Sequence, residues 1–235
     1  GGTSLSITGQ CNAMGTREWS SCSGLPNYRL LENEQDRKEI AEIWNIDEEF
    51  LPTKRGMFQT DIYHAIETGQ IKGLWLIATN PLSSLPNSER VRRAMQKLEF
   101  CAVQDCYEDT ESAQYANVYL PAGTWAEKDG VMTNTERRIN VVKPIAAPPG
   151  AAKPDLWIFN EMAKRFNQDG KVSFPDKAAD IFLEMASISK GRLADISGMS
   201  HELILQNRGV QWPYTELQLN NKEAPPQGGK RLYTE

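Results

Sequence analysis

Polar side chains follow two apolar runs of the sequence, at the points where each run ends. Asn80 follows the run LWLIA that begins at Leu74, and Gln104 and Asp105 follow the run that begins at Phe100. Asp105 has no lysine or arginine beside it in the sequence, and such a carboxylate can accept the two N–H groups on the edge of a guanine. Asp105 can equally cap a following helix. Both interpretations stay open on spacing alone.

Two basic residues are candidates for binding anions. Arg17 lies next to Glu18 in the Gly- and Ser-containing stretch GQCNAMGTREWSS, and Lys128 lies in WAEKDG. A guanidinium offers forked donors that match planar oxyanions. The alternative for Arg17 is a surface ion pair, which contributes under about 1 kcal/mol. Lys128 contacts a phosphate or is simply solvated, and spacing does not decide between these.

The cysteines do not form a recognisable metal or disulfide motif. Their spacings match neither the paired CxxC of zinc and iron–sulfur sites nor a dense disulfide framework, so we expect reduced thiols and no metal ligand in this chain. A GxGxxG after a strand and a P-loop are both absent, which argues against NAD and nucleoside triphosphates. The four cysteines are Cys11, Cys22, Cys101 and Cys106.

The elements that must position these residues alternate between strands and helices. A strand, a helix capped by Asn87 and a second strand occupy about 30 residues, the size of a βαβ unit. The alternation predicts an α/β fold with a doubly wound, mostly parallel sheet of the dinucleotide-binding kind. Strands are predicted at 5–8, 74–78, 100–103 and 118–120, and helices at 34–44, 61–67, 88–99, 110–116, 155–166, 175–188 and 200–206.

The chain divides, by composition, into an α/β domain over residues 1–170 and a helical extension with a loop over residues 171–235. The net charge of -5 and the lack of a long basic stripe argue against nucleic acid as a partner. The longest apolar stretches are far shorter than the roughly 20 residues that a membrane-spanning helix needs. The first residues lack an initiator Met, and we expect an internal fragment that leads to a missing C-terminal domain.

Several blocks resemble the molybdopterin oxidoreductase superfamily that binds bis-molybdopterin guanine dinucleotide, with the closest likeness to assimilatory, ferredoxin-dependent nitrate reductases. The block with YLPAGTWAEKDG and TNTERR is specific for the superfamily. The preference for nitrate depends on fewer residues, chiefly GQCNAMGTREW and RLADISGMS. The blocks, in order, are GQCNAMGTREWSSCSGLPNYR, GLWLIATNPLSSLPN, EFCAVQDCYEDTESAQYANVYLPAGTWAEKDGVMTNTERRINVV and APPGAAKPDLWIFNEMAKRF.

The resemblance implies that residues 1–170 form one of the family's dinucleotide-fold domains, each of which cradles one pterin guanine dinucleotide. The family's cofactor-binding positions correspond here to Asn80, Gln104, Asp105, Lys128 and Asp155. This correspondence favours ligand binding by Asp105 over capping. It also gives Lys128 and Asp155 a role that their spacing alone does not indicate.

The resemblance further implies a catalytic, substrate-facing role for Arg17, whose guanidinium would stabilise charge as nitrate loses an oxygen to molybdenum. The ligand of molybdenum and a 4Fe–4S cluster would lie upstream, so this fragment alone would be inactive. The implied protein is cytoplasmic and takes electrons from ferredoxin. Alternatives are another molybdopterin oxidoreductase, such as a formate dehydrogenase, or a non-catalytic module of an electron-transfer complex.

Overall fold

The computed structural model describes residues 9–19, 24–166 and 174–225, and the strand predicted at 5–8 lies outside them. The helices are α1 Ala13–Glu18, α2 Glu34–Trp44, α3 Gln59–Glu67, α4 Pro81–Ser84, α5 Ser88–Met95, α6 Asp155–Phe166, α7 Ala178–Ser189, α8 His201–Gln206 and α9 Glu216–Asn220. The strands are β1 Gly73–Ile77, β2 Phe100–Asp105, β3 Val118–Pro121, β4 Gly130–Thr133, β5 Arg138–Val142 and β6 Val210–Gln211.

The chain folds into two compact units whose segments alternate along the sequence. Unit 1 comprises Gly1–Arg55, Asp129–Val142 and Lys177–Glu235, and unit 2 comprises Gly56–Lys128 and Lys143–Asp176. The division predicted at residue 170 follows the order of the chain, whereas these units interleave along it. That residues 1–170 bind a cofactor and residues 171–235 form an extension stays a prediction.

Unit 2 contains a parallel sheet in the order β1-β2-β3. Strand β2 lies in the middle, where Val103 is opposite Leu76 on β1 and Tyr119 on β3. All residues of β2 after Phe100 are buried, as expected for a central strand of a parallel sheet with covered faces. The prediction of an α/β fold with a parallel sheet is confirmed.

Side chains alternate between the two faces of this sheet along each strand, and helices cover both faces. On one face, Leu76 and Val103 pack with Ile66 of α3 and with the apolar side of α5. On the other face, the ring of Trp75 lies 5.7 Å from the ring of Phe159 in α6. The fold is therefore doubly wound, as the alternation of strands and helices predicted.

Local sequence signals set the ends of several helices. The side chain of Asn87 accepts a hydrogen bond from the backbone N–H of Arg90 at 3.2 Å and caps α5, as predicted. The helix predicted over residues 110–116 is wrong, since only a 3-10 turn forms at Ala113–Tyr115. The backbone hydrogen bonds of this turn connect residues three apart. The N–H of Asn117 already donates to the carbonyl of Cys101 in β2, so it cannot extend the turn into an α-helix.

Unit 1 is built around a small antiparallel sheet in the order β4-β5-β6, which the sequence analysis did not predict. Its core joins Ile139 of β5 and Val210 of β6 to apolar residues of α7 and α8. Both of these helices match predicted helical patterns. Within the described ranges, no helix is long and apolar enough to cross a membrane.

Candidate functional site

The carboxyl ends of β1 and β2 lie side by side in unit 2, and four of the five predicted polar residues come together there, whereas Asn80 contacts a separate segment. Ile77 is opposite Gln104 in the parallel register, and the N–H of Ala78 donates to the carbonyl of Gln104 at 2.9 Å. The chain that leads to Asn80 therefore leaves β1 beside the end of β2. In open parallel sheets, ligands bind at this edge because loops and helix N-termini converge there.

Gln104, Asp155 and Lys128 form a connected polar group at this edge. The amide Nε2 of Gln104 donates to Oδ1 of Asp155 at 2.7 Å, and Lys128 forms an ion pair with Oδ2 of the same carboxylate. Gln104 is fully buried, and its Oε1 has no hydrogen-bond partner among the residues that the structure describes. The side chains of Lys128 and Asp155 are 34% and 26% exposed, so a ligand in solvent can reach both.

Asp105, the last residue of β2, is 8% exposed. Its Oδ1 accepts from the backbone N–H of Tyr107 at 3.1 Å, and the hydroxyl of Tyr119 donates to its backbone carbonyl at 2.8 Å. The carboxylate thus stabilises a turn after the strand, rather than the first turn of a helix as the capping alternative required. The turn fixes one carboxylate oxygen by a bond within two residues.

Asn80 is held by a segment that lies 32 residues further along the chain. Its Oδ1 accepts from the hydroxyl of Ser112 at 2.6 Å and from the backbone N–H of Ser112 at 3.3 Å. Its Nδ2 donates to the carboxylate of Glu111 at 2.5 Å. This hydrogen bond is the main reason why the pKa of Glu111 lies below its ordinary value. No sequence pattern indicates Ser112 or Glu111, because their contacts with Asn80 are not local in sequence.

Two adjoining clefts open at this edge of the sheet. The smaller has a volume of about 280 Å³ and the larger about 630 Å³, and they share Cys106, Tyr107, Ala122 and Thr124. The volume of the larger cleft is within the range that is typical of small-molecule sites. The remaining lining residues of the smaller cleft are Ala78, Asp105, Gly123, Trp125, Lys128 and Asp155.

The lining of the clefts combines hydrogen-bond acceptors, aromatic rings and a closely packed glycine. Trp125 is 61% exposed and offers a ring to a planar ligand. A Cβ on Gly123, which lines the smaller cleft, would lie 3.3 Å from the side chain of Pro148, so glycine avoids a tight contact there. Burial, followed by the charge of Asp105, raises the pKa of the Cys106 thiol, which keeps it protonated.

Arg17 belongs to unit 1, where it lies exposed in α1. Glu18, its neighbour, turns inward: it is 1% exposed and accepts from Thr133 Oγ1 at 2.9 Å and from Trp212 Nε1 at 2.6 Å. Burial raises the pKa of Glu18. The surface ion pair considered for Arg17 and Glu18 is therefore wrong, because the carboxylate is occupied inside the unit.

Three of the four cysteines lie within the described residues. Cys101 is buried, whereas Cys11 and Cys106 are exposed, and none of the three forms a disulfide. Cys22 lies outside the described residues. No group of three or more histidine, cysteine, aspartate or glutamate side chains in the described part of the chain is arranged to hold a metal ion.

A doubly wound parallel sheet with polar clefts at its carboxyl edge is the arrangement of α/β proteins that bind nucleotide-like ligands. The family model of the molybdopterin oxidoreductases matches residues 14–165. That match covers more than half of the chain, and the chain belongs to the molybdopterin oxidoreductase family.

Relatives extend the match over nearly the whole chain. The chain is 39% identical over 232 residues to a nitrate reductase of Synechocystis sp., covering 98% of this chain and 32% of that protein. It is 37% identical to the assimilatory nitrate reductase catalytic subunit of Bacillus subtilis, covering 97% of this chain and 31% of that protein. The chain thus spans about a third of the length of these relatives.

A solved structure agrees with the fold. Acetylene hydratase from Pelobacter acetylenicus superimposes with a TM-score of 0.51 at 20% sequence identity, covering 76% of this chain and 23% of that one. At this identity the likeness concerns the fold alone.

A putative formate dehydrogenase of Bacillus subtilis, YrhE, is 34% identical over 184 residues, which are 78% of this chain and 18% of that protein.

Proposed function

We propose that this chain is the cofactor-binding portion of a longer molybdenum nitrate reductase that reduces nitrate to nitrite. The observation that carries the proposal is the connected group of Gln104, Lys128 and Asp155 beside Asp105, at the carboxyl edge of one parallel sheet in unit 2. Relatives that match along nearly the whole chain are named nitrate reductases, which supports nitrate as the substrate.

The cofactor proposed for the edge of the sheet is one half of a bis-molybdopterin guanine dinucleotide. The residues fit a guanine, because Asp105 presents a carboxylate at the cleft and carboxylates accept the paired N–H groups of that base. The exposed ring of Trp125 provides an apolar face beside it. Adenine lacks this pair of adjacent donors, so the carboxylate favours guanine.

Lys128 provides the positive charge that a pyrophosphate requires. In the described structure it is paired with Asp155, which is also held by Gln104. The pair is partly exposed, so its net contribution to stability is small, and exchange of one oxygen partner for another costs little. Asp155 then keeps Lys128 at the mouth of the cleft, where a phosphate oxygen can share the ammonium group.

When bound, the molybdenum centre would supply the oxygen-atom transfer that converts nitrate, two electrons and two protons into nitrite and water. Arg17 is proposed to contact nitrate through its forked N–H donors and to stabilise negative charge there. The molybdenum ligand and a 4Fe–4S cluster are proposed to lie in other parts of the longer protein. Ferredoxin is the proposed electron donor, and the cytoplasm the proposed location.

A second candidate function is formate oxidation, favoured by the likeness to a putative formate dehydrogenase over 184 residues. A third is a module that keeps the fold in an electron-transfer complex without molybdenum. Both share the cleft of unit 2 with the first proposal. Formate oxidation differs from the first proposal in its substrate, and the module without molybdenum differs in its metal content. Both properties can be measured on the full-length protein.

The test is to purify the full-length protein and to measure molybdenum, guanine nucleotide, and viologen-driven nitrate reduction beside formate oxidation. The proposal expects molybdenum with about two guanine nucleotides per protein, together with nitrate turnover. Formate oxidation in place of nitrate reduction would select the second function. Protein without molybdenum and guanine nucleotide would select the third.

A further inference from the structure

The contacts of Ser112 determine which way the amide of Asn80 points. The backbone N–H of Ser112 is a donor that cannot reverse its role, and it faces Oδ1 of Asn80 at 3.3 Å. The oxygen of the Asn80 amide must therefore face Ser112. The NH2 group then lies on the opposite side of the amide, where it donates to Glu111.

The hydroxyl of Ser112 is oriented in the same direction. Its oxygen accepts the backbone N–H of Leu82 at 3.3 Å, and its proton is donated to Oδ1 of Asn80 at 2.6 Å. Ser112 is fully buried, so water does not compete for these bonds. The polarity thus runs from the N–H of Leu82 through Ser112 and Asn80 to the outward-facing NH2 group.

We propose that Ser112 is a positioning residue that restricts Asn80 to donating hydrogen bonds to the nucleotide. Asn80 then recognises an oxygen of the ligand that accepts and does not donate. The inference rests on the proposed function, since it assumes that Asn80 meets the guanine dinucleotide. It adds the residue that orients Asn80 and the hydrogen-bonding character of the ligand atom.

Glu111 holds the place of that ligand atom in the described structure. Its carboxylate offers only acceptor oxygens, the same chemistry that the outward NH2 group of Asn80 requires. Glu111 and its bond to Asn80 are exposed to solvent, so the carboxylate can move away at little cost. The ligand oxygen replaces it, whereas Ser112 keeps its bonds on the buried side.

The experiment measures guanine nucleotide retained by the full-length protein after purification and after a fixed incubation at raised temperature. Loss of one neutral hydrogen bond in Ser112→Ala is expected to weaken retention by roughly two- to tenfold. Ser112→Thr keeps the hydroxyl and is expected to restore retention. The matched control is Ser83→Ala, which makes the same change at an exposed hydroxyl with no hydrogen-bond partner among the described residues.

Two variants separate positioning from a purely structural role. Asn80→Asp keeps the size of the side chain but replaces the outward donor by an acceptor, and we expect it to lose nucleotide at least as strongly as Ser112→Ala. Glu111→Ala removes the competing carboxylate, and we expect retention equal to or above that of the unmodified protein. Thermal unfolding of each variant shows whether folding itself has changed.

The inference is overturned if Asn80→Asp retains nucleotide fully, or if Glu111→Ala loses it as Ser112→Ala does. If Ser112→Ala fails to fold, the variants of Asn80 and Glu111 still decide. Unmodified protein that carries no guanine nucleotide would instead contradict the proposed function. In that case the failure appears before any substitution is made.

Discussion

Lys128 and Asp155, which lie 27 residues apart in the sequence, form an ion pair at the carboxyl edge of the parallel sheet. Gln104 holds the second oxygen of the same carboxylate from the buried end of β2. One carboxylate therefore links the interior of the sheet to a lysine that is one-third exposed. This arrangement places a cation at the cleft without leaving its charge unpaired.

Replacement of Lys128 tests whether that cation serves a ligand. In Lys128→Met of the full-length protein, we expect at least about tenfold weaker retention of guanine nucleotide, since a charge-assisted bond is stronger than a neutral one. Lys143→Met is the control, because Lys143 is an exposed lysine of the same unit. Equal retention in the two variants would show that Lys128 is only a surface charge.

Asp105 offers a test of base recognition that leaves the local turn in place. Asparagine at this position still accepts the N–H of Tyr107, so folding should be preserved. Its side chain presents one acceptor where the carboxylate presents two, and Asp105→Asn should retain guanine nucleotide about tenfold less well. Bound nucleotide is released and quantified by chromatography beside the control Asp61→Asn, and unchanged content would remove Asp105 from the site.

Arg17 is predicted to affect turnover without affecting cofactor loading. We expect Arg17→Gln to lower kcat for nitrate by about a hundredfold, the range found when one donor to a developing oxyanion is removed. Arg17→Lys should fall between, because lysine keeps the charge and loses the fork. Molybdenum and nucleotide are measured in the same samples, with Arg208→Gln as the exposed control in unit 1. Loss of cofactor in Arg17→Gln would reassign the residue to cofactor binding.

Glu18 gives a prediction about pH and stability. Burial raises its pKa above the ordinary value of 4.5, so the folded protein holds the proton more tightly than the unfolded chain does. The resulting stabilisation is complete below about pH 4.5 and is lost as the pH rises through the folded-state pKa. The thermal unfolding temperature of the unmodified protein should therefore fall, relative to that of Glu18→Gln, as the pH is raised from 4 to 8.

The opposite trend for Glu18 would have a specific meaning. If the unmodified protein gains stability over Glu18→Gln with rising pH, the hydrogen bonds from Thr133 and Trp212 outweigh burial. The pKa of Glu18 would then lie below 4.5. A variant at the exposed Glu202, Glu202→Gln, controls for the loss of one carboxylate in the same unit.

The parts of the fold that were predictable from sequence depend on local patterns. The apolar run of β1, the period of α5 and the cap at Asn87 are each contained within a few residues, and all three are present. Strand β6 was not predictable, because it has two residues and pairs with β5 across a long stretch of chain. A strand that short carries no periodicity of its own.

The candidate site shows the same limit. Parallel pairing of β1 and β2 was enough to predict that Asn80 and Gln104 lie at one edge. The bond from Ser112 to Asn80 depends on how the loop after β2 returns over that edge, which no spacing in the sequence encodes. Which atom of that contact donates and which accepts depends on the three-dimensional arrangement of the two side chains.

The interleaved units have a consequence for the order in which the protein forms during translation. Every residue of unit 2 has been synthesised once the chain reaches Asp176, whereas unit 1 still awaits Lys177–Glu235. Strand β5 emerges long before its partner β6, and contacts between distant segments close late. We therefore expect the nascent chain to fold first around the cleft at the end of the parallel sheet. The antiparallel sheet that residues 129–142 begin is completed only after β6 has been synthesised.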